Sequence, residues 1–137
     1  MTDFTAVDRH LEQHLDASLA ELARLVAHPS VAAQNRAMEP CAELVAAMLR
    51  ARGFATEILP TGGSPAVVAE RAGQSDRTLL IYNHYDVQPA EPLELWTSPP
   101  FEATRRDGKL FGRGVSDDKG HLVARLFAID AMLAAWG

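Results

Sequence analysis

The sequence predicts an α/β fold in which helices pack on an incomplete mixed sheet. Three stretches carry apolar residues at the three- and four-residue steps of an amphipathic helix. Short extended segments, separated by proline and glycine, lie between the second and third of these stretches. The order helix, helix, strands, helix favours helices layered against a sheet. No change in composition divides the 137 residues, so we expect them to lie in one domain.

Each predicted helix is bounded by residues that start or stop helices. The first covers residues 7–28 and ends at Pro29. The second covers residues 38–52, with Pro40 in its first turn and Gly53 as its stop. The third runs from Asp117 or Lys119 to residue 136. The apolar stripes expected to be buried are Leu11, Leu15, Leu19, Leu22 and Val26, then Leu44, Val45, Met48 and Leu49, and finally Leu122, Leu126, Ile129 and Leu133.

Extended segments are predicted at residues 54–59, 65–69 and 78–83. The third contains four consecutive apolar residues, which is typical of a strand buried on both faces. Residues 87–101 hold four prolines and form a long loop, and long ordered loops often carry function. Residues 102–111 are predicted to form a hairpin that turns at Asp107-Gly108.

Composition excludes several classes of partner. The formal net charge is −5 and the basic residues are scattered, so we expect no nucleic acid and no anionic membrane surface as partner. No stretch approaches the ~18 apolar residues of a membrane span. The N-terminus has no basic start followed by an apolar run, so the cytoplasm is the expected compartment. The one cysteine, Cys41, is expected to be a structural thiol and not a nucleophile.

A first candidate site follows the apolar segment directly, at His84-Tyr85-Asp86-Val87-Gln88-Pro89. The carboxylate of Asp86, two residues after His84, can accept a hydrogen bond from one imidazole nitrogen. This bond fixes the tautomer and leaves the other nitrogen free to bind a metal. A surface ion pair explains His-x-Asp equally well, so this pattern alone does not predict a site.

A second candidate site precedes the last helix, at Gly112-Arg113-Gly114-Val115-Ser116-Asp117-Asp118-Lys119-Gly120. The glycines allow a tight turn. The two carboxylates suit a helix N-terminus and could be capping residues only. Alternatively, one of them faces a metal, since a carboxylate oxygen complements an imidazole nitrogen as ligand.

Together the two segments resemble the signatures of the co-catalytic zinc exopeptidases, the family that includes carnosine dipeptidases, acetylornithine deacetylase and succinyl-diaminopimelate desuccinylase. One signature is His-x-Asp-x-x-Pro and the other is Gly-Arg-Gly-x-x-Asp-x-Lys-Gly, and both are complete here. The Asp-Val-Gln-Pro stretch and the Asp117-Asp118 pair look most similar to the dipeptidase branch. The likeness extends over residues 8–136 and implies the N-terminal portion of a catalytic domain.

The resemblance implies a role for each matching residue. His84 is expected to bind one zinc ion, and Asp117 is expected to bridge two. Asp86 is the expected catalytic-site partner that orients the His84 ring. Manganese or cobalt could replace zinc. The bond after the bridging aspartate is often cis in such relatives, and for Asp118 we expect a backbone role and no ligation. His10, His14, His28 and His121 are expected to lie outside the site.

The resemblance also implies that residues 1–137 form a partial catalytic domain. Relatives continue with a Glu-Glu pair that supplies the general base and a ligand, a further acidic ligand, a late histidine and a dimerisation domain. We therefore expect no peptide hydrolysis by this chain alone, and an exposed sheet edge that favours self-association. The expected substrate of the complete enzyme is a small peptide or N-acyl amino acid. A split enzyme completed by another chain, and a non-catalytic remnant or binding module, are the alternatives.

Overall fold

The fold was described from a computed structural model, which covers residues 3–137. Its three helices lie where the apolar periodicity predicts them, with ends that differ by two residues or fewer. The α-helices are α1 (Thr5–Val26), α2 (Met38–Ala51) and α3 (Lys119–Trp136). The strands are β1 (Ala55–Leu59), β2 (Ala66–Glu70), β3 (Thr104–Arg106) and β4 (Lys109–Phe111), and short 3-10 helices cover Ala32–Gln34 and Leu93–Leu95.

The core forms where the three helices meet. α1 packs along α3, and α2 covers the β1–β2 pair. In α1 only the second half of the predicted stripe is deeply buried: Leu22 and Val26 are buried, whereas Leu15 is 49% exposed. Across residues 3–137, no helix is long and apolar enough to cross a membrane. The buried core consists of Leu22, Leu25, Val26, Cys41, Val45, Met48, Leu122, Val123 and Leu126.

The strands form two separate antiparallel pairs. β1 pairs with β2, with Ala55 opposite Glu70. β3 pairs with β4 through a turn in which Asp107 and Gly108 both have positive φ, at 51° and 70°. Two successive positive φ angles are the geometry that Asp-Gly favours in a two-residue hairpin, so this prediction is confirmed. The α/β class is confirmed as well, with the sheet portion present as these two pairs.

The prediction of a buried strand at residues 78–83 is wrong for the described part of the chain. The segment pairs with no strand of residues 3–137. Leu79 and Leu80 are 83% and 89% exposed. An apolar run becomes a buried strand only where neighbouring strands bond its backbone and other layers cover its faces. Neither is supplied by the residues described.

One ion-pair cluster joins the three helices outside the core. Arg52, at the end of α2, donates to both carboxylate oxygens of Asp130 in α3 and to those of Glu21 in α1, with the shortest contact of 2.6 Å to Glu21. The Arg52 side chain is only 11% exposed, while its partners are about a quarter exposed. This cluster ties the C-terminal end of α2 to α1 and α3.

Candidate metal centre

His84 and Asp86 form the contact that their spacing predicts. Nδ1 of His84 lies 3.1 Å from the carbonyl oxygen of Asp86 and 3.1 Å from its Oδ1. Both oxygens are acceptors, so Nδ1 carries the ring proton and donates to them. In the neutral imidazole, Nε2 is then the nitrogen with a free lone pair.

Asp117 reaches this free nitrogen from the second segment. Its Oδ1 lies 3.0 Å from Nε2 of His84, and its side chain is 80% exposed. A carboxylate oxygen and an unprotonated imidazole nitrogen are both acceptors, so at this distance they repel unless a cation lies between them. A proton or a metal ion can meet this requirement. The structure therefore brings His84, Asp86 and Asp117 together at one point.

The charges around His84 favour such a cation. Desolvation is the largest single influence on the pKa of His84, and it lowers that pKa. The hydrogen bond to the Asp86 carbonyl and the nearby carboxylates together outweigh it. The pKa of His84 is therefore raised above its ordinary 6.5.

Asp118 joins the two segments through its side chain, a role that the sequence analysis missed. Its Oδ2 accepts from Nδ2 of Asn83 at 2.7 Å and from the backbone nitrogen of His84 at 3.2 Å. Its Oδ1 lies 2.8 Å from Nδ1 of His121. Desolvation, the largest influence, raises the pKa of Asp118, but the hydrogen bonds outweigh it and the pKa is lowered. The carboxylate is thus held as an anion that fixes the backbone of His84.

The backbone of the second segment has the unusual features that its sequence predicts. The Asp117-Asp118 peptide bond is cis, as expected. Gly114 has φ 89°, and a Cβ added there would lie 2.8 Å from Cγ1 of Val87 and 3.2 Å from Cδ of Lys119. A side chain would not fit between them. Gly114 therefore lets the first segment approach the second closely.

The donor atoms fit a divalent metal. One nitrogen or oxygen each of His84, Asp117 and Asp118 lie within 4.8 Å of one another, the one such group of three in residues 3–137. Two ligands of a tetrahedral zinc, at the usual bond lengths of ~2.1 Å, are separated by roughly 3.4 Å. The 3.0 Å between His84 and Asp117 needs only a small widening. Because the oxygens of Asp118 already accept other bonds, His84 and Asp117 are the better ligand pair.

The other histidines and Cys41 are not among the group of three metal-capable side chains, although His121 contacts one of its members. His10 and His14 stack at 4.1 Å on α1, and Nδ1 of His14 lies 2.9 Å from the carbonyl of His10. His121 is 59% exposed in its side chain and contacts Asp118. Cys41 is buried, and desolvation raises the pKa of its thiol, which disfavours the nucleophilic thiolate.

Comparison with known proteins places this chain in a family. Residues 80–137, which contain both segments, match the profile of peptidase family M20/M25/M40. The succinyl-diaminopimelate desuccinylase of Acidovorax ebreus is 40% identical over 123 residues, which are 82% of this chain and 31% of that protein. The chain belongs to this peptidase family. The predicted resemblance is therefore confirmed, and the family is metal-dependent.

Solved structures of the family share the fold. An M20 family metallo-carboxypeptidase from Sulfolobus solfataricus has a TM-score of 0.78 and 39% identity, and the match covers 86% of this chain and 27% of that one. Human carnosine dipeptidase 1 has a TM-score of 0.89 and 26% identity, over 97% of this chain and 32% of its own. The chain thus spans about a third of the length of the relatives that it matches.

Proposed function

We propose that residues 1–137 are a partial catalytic domain contributing to a two-zinc site that hydrolyses a peptide or amide bond in dipeptides or N-acyl amino acids. The observation that carries this proposal is the 3.0 Å contact between Nε2 of His84 and Oδ1 of Asp117. Two hydrogen-bond acceptors that face each other at this distance are arranged to share a cation. Membership of a metal-dependent peptidase family supports a metal as that cation.

Each residue has a defined task in this proposal. His84 binds one ion through Nε2, while Asp86 holds the ring by accepting from Nδ1. Asp117, exposed beside it, would be the ligand shared with a second ion. When bound, zinc polarises the scissile carbonyl and lowers the pKa of a bound water toward about 7. Asp118 keeps the His84 backbone in place and does not ligate.

The site within this chain is not sufficient for the reaction. A catalytic zinc usually takes about three protein ligands and a water. Two ions therefore need more ligands than His84 and Asp117, the two that this proposal takes from the group of three metal-capable side chains in residues 3–137. We therefore propose that further ligands and the general base come from outside these residues, either from a longer protein or from a complementing chain. The exposed apolar segment at residues 79–82 supports such a contact. The cytoplasm remains the expected compartment.

Zinc binding by the chain tests the proposal directly. Isothermal titration with Zn²⁺ alone should show one weak site that His84→Ala and Asp117→Ala each abolish. The matched control is His14→Ala, which removes an exposed histidine on α1 that stacks on His10. Equal zinc affinity in all four proteins would show that these residues are not ligands. Titrations with Mn²⁺ and Co²⁺ rank the metals.

An activity assay tests whether the chain is incomplete. We expect no turnover of dipeptides or N-succinyl amino acids by the chain with added zinc. Turnover that His84→Ala abolishes would show that the chain holds a complete catalytic site and would refute the requirement for outside ligands. Turnover that appears only with a second chain would identify a split enzyme.

A further inference from the structure

The corner that follows α1 contacts both segments of the candidate metal centre. This corner comprises residues 28–31, between the end of α1 and the first 3-10 helix. It is separated by more than 50 residues from the first segment and by about 90 from the second, so no local pattern links them. Its contacts are made by two fully buried side chains, Ser30 and Lys119.

Ser30 holds the residues on both sides of Asp86. Its hydroxyl donates to the carbonyl oxygen of Tyr85 at 2.6 Å. Its own carbonyl oxygen accepts from the backbone nitrogen of Val87 at 2.8 Å. Two bonds from one residue therefore bracket Asp86 and restrict the backbone rotations that aim its carboxylate at the His84 ring.

Lys119 holds the second segment to the same corner. Its Nζ donates to the carbonyl oxygen of Leu25 at 2.9 Å and to that of His28 at 2.6 Å. These carbonyls lie at the C-terminal end of α1, where carbonyl groups lack helical partners and the helix dipole favours a cation. Lys119 follows Asp117 by two residues, so this anchor fixes the turn that presents the Asp117 carboxylate.

The two anchors together set the distance between His84 and Asp117. The corner is rigid because its own bonds close it: the nitrogen of Ser30 donates to the carbonyl of His28 at 2.8 Å, and Val31 is paired with Arg36. A buried ammonium is costly unless its hydrogen bonds are made. The ammonium of Lys119 bonds one carbonyl in the last turn of α1 and one in the corner. A positioning task explains such a buried lysine better than packing does, because an apolar side chain would serve for packing.

We propose that Ser30 and Lys119 are positioning residues that tie both halves of the metal site to one corner after α1. The proposal rests on the proposed function for the identity of the site. It makes the corner, and not the ligands alone, responsible for holding Nε2 of His84 and Oδ1 of Asp117 at bonding distance to one cation.

The test compares Ser30→Ala and Lys119→Met with Val45→Ala in the full chain. Ser30→Ala removes only the hydroxyl donor and leaves the backbone bond from Val87 intact. Lys119→Met keeps most of the buried stem. Val45→Ala makes a cavity in the core on α2 but leaves the hydrogen bonds of Ser30 and Lys119 intact, so it controls for loss of stability.

The first measurement uses the metal-free chain. Histidine ring nitrogen NMR should show a single Nδ1-protonated tautomer of His84 at a pH above its titration in wild type and in Val45→Ala. Ser30→Ala and Lys119→Met should show a mixture of tautomers. The second measurement is zinc titration, in which the two positioning variants should bind about tenfold more weakly, since partners that orient ligands typically contribute ~10–100-fold.

The outcomes separate the two proposals. If wild type binds no zinc, the proposed function fails, and the tautomer spectra still decide the role of the corner. If both positioning variants keep the wild-type His84 signals, the corner has no positioning role, whatever their stability. If Lys119→Met does not fold, Ser30→Ala alone decides in the same way.

Discussion

The substitution Gly120→Ala tests how closely the second segment packs against the start of α3. Gly120 is the second residue of α3, and its nitrogen donates to the carbonyl of Gly114 at 3.1 Å, which closes the turn carrying Asp117. A Cβ added at Gly120 would lie 1.9 Å from the carbonyl oxygen of Val115 and 2.8 Å from its carbonyl carbon. The obstacle is backbone, so rotation of a side chain cannot relieve it.

Two effects of opposite sign determine how much Gly120→Ala changes the free energy of unfolding. Alanine is favoured over glycine within a helix by ~0.8–1.0 kcal/mol. The clash requires a backbone shift of more than 1 Å to reach any separation seen for real Cβ atoms. Overpacking of this kind typically costs ~1–3 kcal/mol, so the clash outweighs the helix propensity. We expect Gly120→Ala to lower the free energy of unfolding by up to about 2 kcal/mol and to displace Asp117.

Urea unfolding followed by circular dichroism measures the stability, and zinc titration measures the displacement of the ligand. The matched control is Gly73→Ala, because no atom lies within 4 Å of a Cβ at Gly73. This control should change stability by less than about 0.5 kcal/mol and leave zinc affinity unchanged. A Gly120→Ala chain that is as stable as wild type and binds zinc equally well would refute the close approach of Val115 to α3.

Three further predictions concern the ion cluster, the site histidine and the exposed segment. Arg52→Met leaves two half-buried carboxylates without their cation, so urea unfolding should show a free energy of unfolding lower by about 2–3 kcal/mol. This loss lies between those typical of exposed and of buried ion pairs. The exposed Arg50→Met should change little, and equal losses would contradict a role of the cluster. In the metal-free chain the NMR titration midpoint of His84 should lie above 6.5, because its pKa is raised. The stability from its protonation is full below the unfolded pKa and is lost as pH rises through the folded pKa, and a midpoint below 6.5 would contradict this. Leu80→Lys should reduce self-association in sedimentation experiments more than Ala72→Lys, and equal association of both variants with wild type would exclude the apolar segment as the contact.

Local patterns predicted the elements whose determinants are local. The helices follow from apolar periodicity and from stops such as Gly53, whose φ of 79° few other residues adopt. The hairpin follows from Asp107-Gly108. Residues 78–83 differ because a strand needs a partner, and an apolar run carries no information on whether one lies beside it. Their sequence has the composition of a buried strand, but the described residues supply no neighbour.

The contacts of the candidate site also fall into two groups, those that local patterns predict and those that they do not. The contact between His84 and Asp86 joins residues two positions apart and can be predicted from their spacing. The approach of Asp117 was inferred from resemblance, since 33 residues separate it from His84. The roles of Ser30 and Asn83 were not predicted, because a serine after a proline and an asparagine after an apolar run are common in any protein. Only the fold shows that each accepts or donates a bond that holds the first segment.

The boundary between the hydrogen-bonded site and the exposed apolar segment falls at Asn83. Its amide donates to Asp118, and from this residue onward the first segment is bonded to the second and to the corner after α1. One residue earlier, Tyr82 is 79% exposed. The contacts that orient His84 therefore lie within residues 3–137, whereas the same residues leave the apolar segment exposed. We expect the proposed metal ligands, His84 and Asp117, to be preorganised here without a paired strand. A chain or domain that covers residues 79–82 would then lie beside the first segment of the site, which begins two residues later at His84.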